Sequence, residues 1–342
     1  MSGRLRPRPT MRSVAERAGV SFKTVSRVVN GEAGVSDDVV ARVRRAVDEL
    51  GYQRDDRARR LRQGGSSSGT IGFVLVDVAN PFFSYLLRGI EEVAREHGYL
   101  VLAGSSDGLA ERENQLVEAF VARRVDGLVV VPSAPGLGAL SRELERGTPV
   151  VFLDLEPEGL SADLVRSDHQ GGAHLATSHL QARGHRDIAF FGDDPAVFSA
   201  GLRLAGFREA MDSAGLAVDG RRICQGRHTP GEWRQIITDY LAEPEPPTAL
   251  FTAQNHITVG CAHALHDLAL HEQIAHIGFD DIELADVVRP GISVVPQAPL
   301  RLGQRAAELL FERLAGSSEP PIREVLASAV IERGSGEIAP RR

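Results

Sequence analysis

The chain has 342 residues, 42% hydrophobic and 25% charged, which is ordinary globular sequence long enough for a sizeable buried core. No apolar run reaches the length that spans a bilayer. The basic start, MSGRLRPRPTMRSVAERAG, lacks the apolar core and cleavage site of an export signal, so a cytoplasmic location is expected. Two cysteines, Cys224 and Cys261, stand in no metal or redox spacing and read as buried free thiols. The net charge of −7 is unevenly spread: residues 1–63 hold 15 Arg and Lys against 8 Asp and Glu, and the rest is acidic. A basic head on an acidic body points to a polyanion met by the head alone, although charge by itself also fits a solubilising tail.

The first predicted elements lie in TMRSVAERAGVSFKTVSRVVNG. Thr10 is a good N-cap for a helix over 11–18, with Val14, Ala15 and Ala18 on one face. Gly19 suits the left-handed stop. Ser21 caps a second helix running to about Val29, closed by Asn30-Gly31. Val20, Val25, Val28 and Val29 form its buried side, leaving Phe22, Lys23, Ser26 and Arg27 outward. A third helix begins at Ser36, with Asp37 and Asp38 in its positive first turn. Val40, Val43, Val47 and Leu50 recur at helical spacing, and Gly51 closes it. Helix, glycine corner, helix is the helix-turn-helix pattern, whose second helix enters the major groove by its N-terminal end. Lys23, the only lysine in the chain, and Arg27 suit guanine acceptors, and Phe22 suits a thymine methyl or a sugar edge.

This segment and VSDDVVARVRRAVDELGY after it closely resemble the opening of the lactose-repressor (LacI/GalR) family, with matching motifs from about Thr10 to Ile331. The resemblance implies that Phe22, Lys23 and Arg27 read bases. It likewise implies that Thr10, Ser21, Thr24, Ser26, Asn30 and Ser36 touch phosphates. It divides the chain into a DNA-binding domain over 1–53, a hinge and linker over 54–69, and an effector-binding and dimerisation domain over 70–342. In the hinge, Leu61 matches the leucine that wedges into the minor groove, with Ala58 beside it and Arg62 positioned to reach a groove edge. Arg57, Arg59, Arg60 and Arg62 add salt-dependent phosphate attraction. The family often has Pro-Asn ahead of this helix; here Arg54-Asp55 stand instead, loosening the entry.

From Thr70 the chain alternates apolar runs with amphipathic stretches. Strands are expected in TIGFVLVDV, YLVLAGS, DGLVVVP and TPVVFLDL, and again over 187–192, 248–252 and 274–279. Helices are expected over 82–97, 110–122, 137–146, 198–214 and 256–268. Two such series imply two doubly wound parallel-sheet lobes, with a ligand cleft beyond the strand ends. The resemblance adds that this is the fold of periplasmic sugar-binding proteins. It implies an N-lobe of about 70–167 plus 298–326, a C-lobe of about 168–296 plus 327–334, and crossings near Ser167, Gln297 and Ala327.

The candidate effector residues are Phe82, Phe83, Asp154, His228, Gln254, Asp280 and Gln297. The two phenylalanines fall where the family packs an aromatic on the ligand, and also read as core. Asp154 and Asp280 end strands, where they accept bonds from hydroxyls or merely cap turns. Three departures weigh against a simple sugar pocket: Gly201 replaces the family's ligand-clamping arginine, Gln254-Asn255 replaces Asn-Asp, and His228 replaces a stacking aromatic. Trp233 reads as packed. His263 and His266 with their neighbours lack the converging ligands of a zinc site, so neither metal nor cofactor is expected. No partnered nucleophile stands out, so an enzyme is not expected. The resulting expectation is a homodimeric DNA-binding repressor on a pseudo-palindromic operator, controlled by a small effector such as a sugar. The alternative is a transport receptor of the same body fold.

Overall fold

The computed structural model describes residues 9–52, 67–133, 138–155, 157 and 159–341. The chain divides between Ser68 and Gly69 into two units. The proposed hinge residues Ala58, Leu61 and Arg62 lie outside the described residues.

The first unit contains α1 (Met11–Ala18), α2 (Phe22–Asn30) and α3 (Asp37–Leu50). Thr10 and Ser13 cap α1 reciprocally: Thr10 Oγ1 accepts the Ser13 N–H at 3.2 Å, and Ser13 Oγ accepts the Thr10 N–H at 2.8 Å. Gly19 ends α1 at φ 65°, the left-handed value that lets the chain turn sharply into α2. Ser21 caps α2 through the Thr24 N–H at 3.1 Å. Ser36 occupies the N-cap of α3, but its exposed hydroxyl makes no cap bond. Asp37 and Asp38 complement the positive end of that helix instead. Val14, Ala15, Ala18, Val25, Val43 and Ala46 form the core shared by all three helices.

In the second unit, β1 (Thr70–Leu75), β2 (Leu100–Ser105), β3 (Leu128–Val130), β4 (Val150–Leu153), β5 (Asp163–Ser167) and β11 (Arg323–Leu326) make a six-stranded sheet. Its order is β11-β5-β4-β3-β1-β2, parallel throughout. A second parallel sheet, in the order β10-β9-β8-β6-β7, holds β6 (Ile188–Gly192), β7 (Ile223–Gln225), β8 (Ala249–Thr252), β9 (Ala275–Phe279) and β10 (Ser293–Val295). The central strands are apolar on both faces because helices cover both faces. Ile71, Phe73 and Leu75 pack with α4 (Pro81–Glu96) and α11 (Pro299–Leu314). Val74, one residue out of phase, packs with α5 (Ala110–Ala122) and α6 (Gly138–Glu145). The second lobe repeats the arrangement. Phe190 joins α7 (His169–Ala182) and α8 (Phe198–Ser213), while Phe191 joins Trp233 on α9 (Pro230–Leu241) and Cys261 on α10 (Asn255–Asp267).

The chain passes between the lobes three times: after β5 into α7, after β10 into α11, and after β11 to bridge Ile331 with Val294. The return of α11 to the first lobe depends on two glycines. A Cβ on Gly89 would stand 2.2 Å from the Leu300 carbonyl oxygen, and one on Gly303 would stand 2.2 Å from that of Leu86. Only glycine at both positions lets α4 and α11 approach so closely.

Candidate DNA-reading helix and candidate effector cleft

The caps of α2 fix which of its side chains leave the core. Val25 is fully buried, whereas Phe22 is 50% exposed and Lys23 beside it is exposed. An aromatic edge and a cation thus stand together on the first turn of a helix anchored by Val25, with Lys23 pointing away from it. Ser21, at the N-cap, is exposed, and its hydroxyl meets that of Thr24 at 2.8 Å. Thr10 is also exposed at the start of α1. Arg27 is placed differently from Lys23. Its guanidinium donates to the Ala33 carbonyl and lies 3.8 Å from Glu32, so it is folded over the loop after α2. Asn30 Nδ2 donates to Ser26 Oγ and Glu32 Oε1, each at 3.3 Å. Reading bases with Arg27 requires that its contacts to this loop be exchanged for contacts to DNA.

Between the two lobes of the second unit lies a cavity of about 720 Å³, at the carboxyl ends of both sheets. Phe82, Phe83, Asp154, His228, Gln254, Asp280 and Gln297 all line it. Phe82 and Phe83 are partly buried edge-to-face at 5.2 Å, and they pack on the first core while lining the cleft. Asp154 and Asp280 follow β4 and β9 with φ of 70° and 72°, turning their carboxylates out of the sheets. His228 is exposed at the rim, edge-on to the buried Trp233 at 5.0 Å. Gln254 Nε2 donates to Asp193 Oδ2 at 3.0 Å, and Gln297 Nε2 donates to Asp280 Oδ1 at 2.5 Å.

Behind Asp154 is a chain of contacts that links the lobes. Asp154 Oδ1 lies 2.5 Å from Nε2 of His169 on α7, whose side chain is fully buried. Nε and Nη2 of Arg203 lie 3.4 and 3.3 Å from Nδ1 of the same ring. Arginine can only donate, so Nδ1 accepts and the ring proton sits on Nε2, facing the carboxylate. Arg203 also donates to the Ala253 carbonyl at 2.7 Å and lies 4.1 Å over the Phe279 ring. Burial pushes the Asp154 carboxyl up, but His169, Arg203 and Arg166 more than offset it and hold it below the usual range.

A second link across the cleft joins two buried amides. Asn255 Nδ2 donates to Asn80 Oδ1 at 2.7 Å, and Asn80 Nδ2 donates back at 3.4 Å. Asn80 also caps α4 through the Phe82 N–H at 3.0 Å. Arg227, from the second lobe, donates to the Asp107 carbonyl of the first at 2.9 Å.

Comparison with known proteins gives this geometry a family. Residues 10–55 match the model described as bacterial regulatory proteins, lacI family, and residues 177–336 match that of a periplasmic binding protein-like domain. The ribose operon repressor of Escherichia coli K12 is 34% identical over 332 residues, 95% of this chain and 99% of that protein. The chain belongs to the lacI family. A solved lac repressor dimer, bound to operator and the anti-inducer ONPF, is 26% identical with a TM-score of 0.81, covering 96% of this chain and 99% of that one. A lacI-family regulator of Enterococcus faecium with bound ribose is 27% identical with a TM-score of 0.70, covering 80% and 100%.

Within this lacI-family cleft, sequence reasoning missed Asn80, Asp193, His169 and Arg203, and marked Asn255 only as a departure from the family's pair. Asn80 carried a signal, since it precedes Pro81 as an N-cap. The others become visible only when strands far apart in sequence are set side by side. Among the described residues, one group has metal-ligating geometry: His179, Glu332 and Glu337. It is an internal tie. His179 Nε2 lies 2.6 Å from Glu337, whose other oxygen accepts from Ser293 Oγ at 2.8 Å and the Gly334 N–H at 2.6 Å.

Proposed function

We propose that this chain is a sequence-specific DNA-binding repressor that acts as a homodimer on a two-fold symmetric operator and answers to a small polar effector in the inter-lobe cleft. The observation that carries the reading is the capped α2, with Phe22 and Lys23 exposed on its first turn and Val25 anchoring the helix. Phe22, Lys23 and Arg27 are the base readers in this proposal. Thr10, Ser21, Thr24, Ser26, Asn30 and Ser36 are the phosphate contacts, and Leu61, flanked by Ala58 and Arg62, is the minor-groove wedge. Domain limits of 1–53, 54–69 and 70–342 belong to the same proposal. The operator-bound lac repressor dimer and the E. coli ribose operon repressor support it.

The ribose-bound relative supports a sugar-sized effector held by Phe82, Phe83, Asp154, His228, Gln254, Asp280 and Gln297. We read the cleft as a sensor without turnover, because His169 beside Asp154 is buried with both ring nitrogens engaged. A regulator of bacterial DNA acts in the cytoplasm, and no helix among the described residues is long and apolar enough to cross a membrane. Selecting the pure chain against a random-sequence duplex pool tests the proposal. The expected product is a pseudo-palindrome whose half-sites repeat at about one helical turn. A pool that stays unenriched overturns it.

A further inference from the structure

The cleft carries an unbalanced charge. Asp77, Asp154, Asp193 and Asp280 line it, against only Arg203 and Arg227 among its described residues. Arg203 is held within the protein, whereas Arg227 is exposed and gives one Nη2 bond to the first lobe. Arg203 is 6% exposed, bound to Ala253 and His169, and covered by Phe279. Arg227 is turned to the Asp107 carbonyl. Asp154 accepts the His169 N–H, and Arg203 and Arg166 act on its charge. Among the described residues, Asp193 and Asp280 accept only from neutral donors: Gln254 and the Asp194 N–H for the first, Gln297 for the second.

Asp280 is the decisive group. It is only 7% exposed, and among the described residues its Oδ2 takes no hydrogen bond. Beside it, Gln297 Oε1 is buried and accepts no bond either. The Gln297 amide cannot be reversed to cure this, because its oxygen would then face the Asp280 carboxylate. Two adjacent acceptors therefore wait for donors. Asp280 lines the cleft, and a carboxylate there without an ion pair attracts a cation. A charge-assisted bond from a ligand cation is stronger than one from a neutral hydroxyl.

We infer that the effector carries its own positive charge: a small polyhydroxylated amine, such as an amino sugar, whose ammonium group pairs with Asp280 and donates to Gln297. The inference rests on the cleft being the effector site, as proposed above. It excludes phosphorylated and acidic effectors, which the same carboxylates repel.

Two measurements on the full chain test it. In thermal-shift assays near neutral pH, D-glucosamine, D-galactosamine and D-mannosamine are compared with their neutral parents and with D-glucose 6-phosphate. At least one amine is expected to raise the melting temperature by several degrees beyond its parent. D280N is expected to remove that advantage, and the phosphate is expected to give no shift. Equal or larger shifts from the parents, any shift from the phosphate, or no shift from the amines overturns the inference.

The second measurement needs no ligand. An added Cβ at Gly201, which lines the cleft, meets nothing within 4 Å. G201R and G201Q therefore both fit, and they differ mainly in charge. G201R is expected to melt a few degrees above G201Q, with the gap shrinking in salt; equal melting, or G201R below G201Q, overturns the inference. Duplex selection on the same preparations separates the two proposals. Retained operator selectivity with these outcomes failing sinks only the charge assignment, and lost selectivity sinks the repressor reading alone.

Discussion

Lys23 stands exposed on the first turn of α2, where a flexible ammonium can reach a guanine edge without disturbing the helix core. Lys23→Ala is expected to cost about 1–3 kcal/mol at the base pair it reads and to relax preference at that position. Competition titrations against single-base operator variants check this; a uniform loss across all variants would place Lys23 on phosphate instead. His276 gives a prediction independent of DNA. Burial holds its imidazole far below the ordinary 6.5, at about 3, with Nε2 2.8 Å from Thr252 Oγ1. The unfolded chain takes up this proton as pH falls below 6.5, and the folded chain does not until about 3. The stabilisation is therefore complete above 6.5 and is lost across that window, by up to about 1.4 kcal/mol per pH unit. Urea unfolding between pH 7.5 and 4.5 should show this slope, and His276→Gln should flatten it. At this scale, residues such as Asp280 and Phe82 were legible because each follows a recognisable strand. The His169–Arg203 contact was not, because residues 34 apart in sequence meet only after α7 and α8 pack.

Elements were readable where apolar runs were continuous or caps were conspicuous. The head is the clearest case: Thr10, Gly19, Ser21 and Gly31 mark both ends of the first two helices, and the structure uses all four. β5 was overlooked because DLVRS carries two charges in five residues. The structure resolves the conflict by giving Asp163 a full set of donors. Arg313 donates to it through Nε and Nη2, both at 2.7 Å, and the Ile322 N–H donates at 2.8 Å. The Asp163 side chain is 1% exposed, so removing it strips Arg313 of its ion-pair partner and the Ile322 N–H of its acceptor. Asp163→Ala is expected to destabilise the chain by about 3–5 kcal/mol in denaturant titration, and an effect below 1 kcal/mol would show that the pair holds little. α9 was likewise overlooked, although Thr229-Pro230-Gly231-Glu232 spells a capping box that the structure forms, with Glu232 Oε2 accepting the Thr229 N–H at 2.7 Å. α11 was missed for another reason. Its glycine-dependent fit against α4 is a long-range property with no local signature.

For the whole molecule, charge segregation and the doubled strand-helix series were visible in sequence, and the two parallel sheets follow from them. The state of the cleft was not visible. In the structure the Asn80–Asn255 amide pair, both residues at least 93% buried, joins the lobes. Asn255→Ala removes this tie and leaves the Asn80 amide group short of a partner. It is expected to cost about 1–3 kcal/mol and to raise the radius of gyration of the effector-free chain in small-angle scattering. An unchanged scattering profile would show that the pair does not hold the lobes. The central claim concerns the other unit, where α2 is built to meet DNA. Its most direct test is a fluorescence-anisotropy titration of the full chain on its selected duplex and on a scrambled one, at 50 and 200 mM salt. The account predicts specific binding at least about 10³-fold tighter than non-specific binding, with both weakening steeply as salt rises. Equal affinity for the two duplexes, or affinity indifferent to salt, would contradict it.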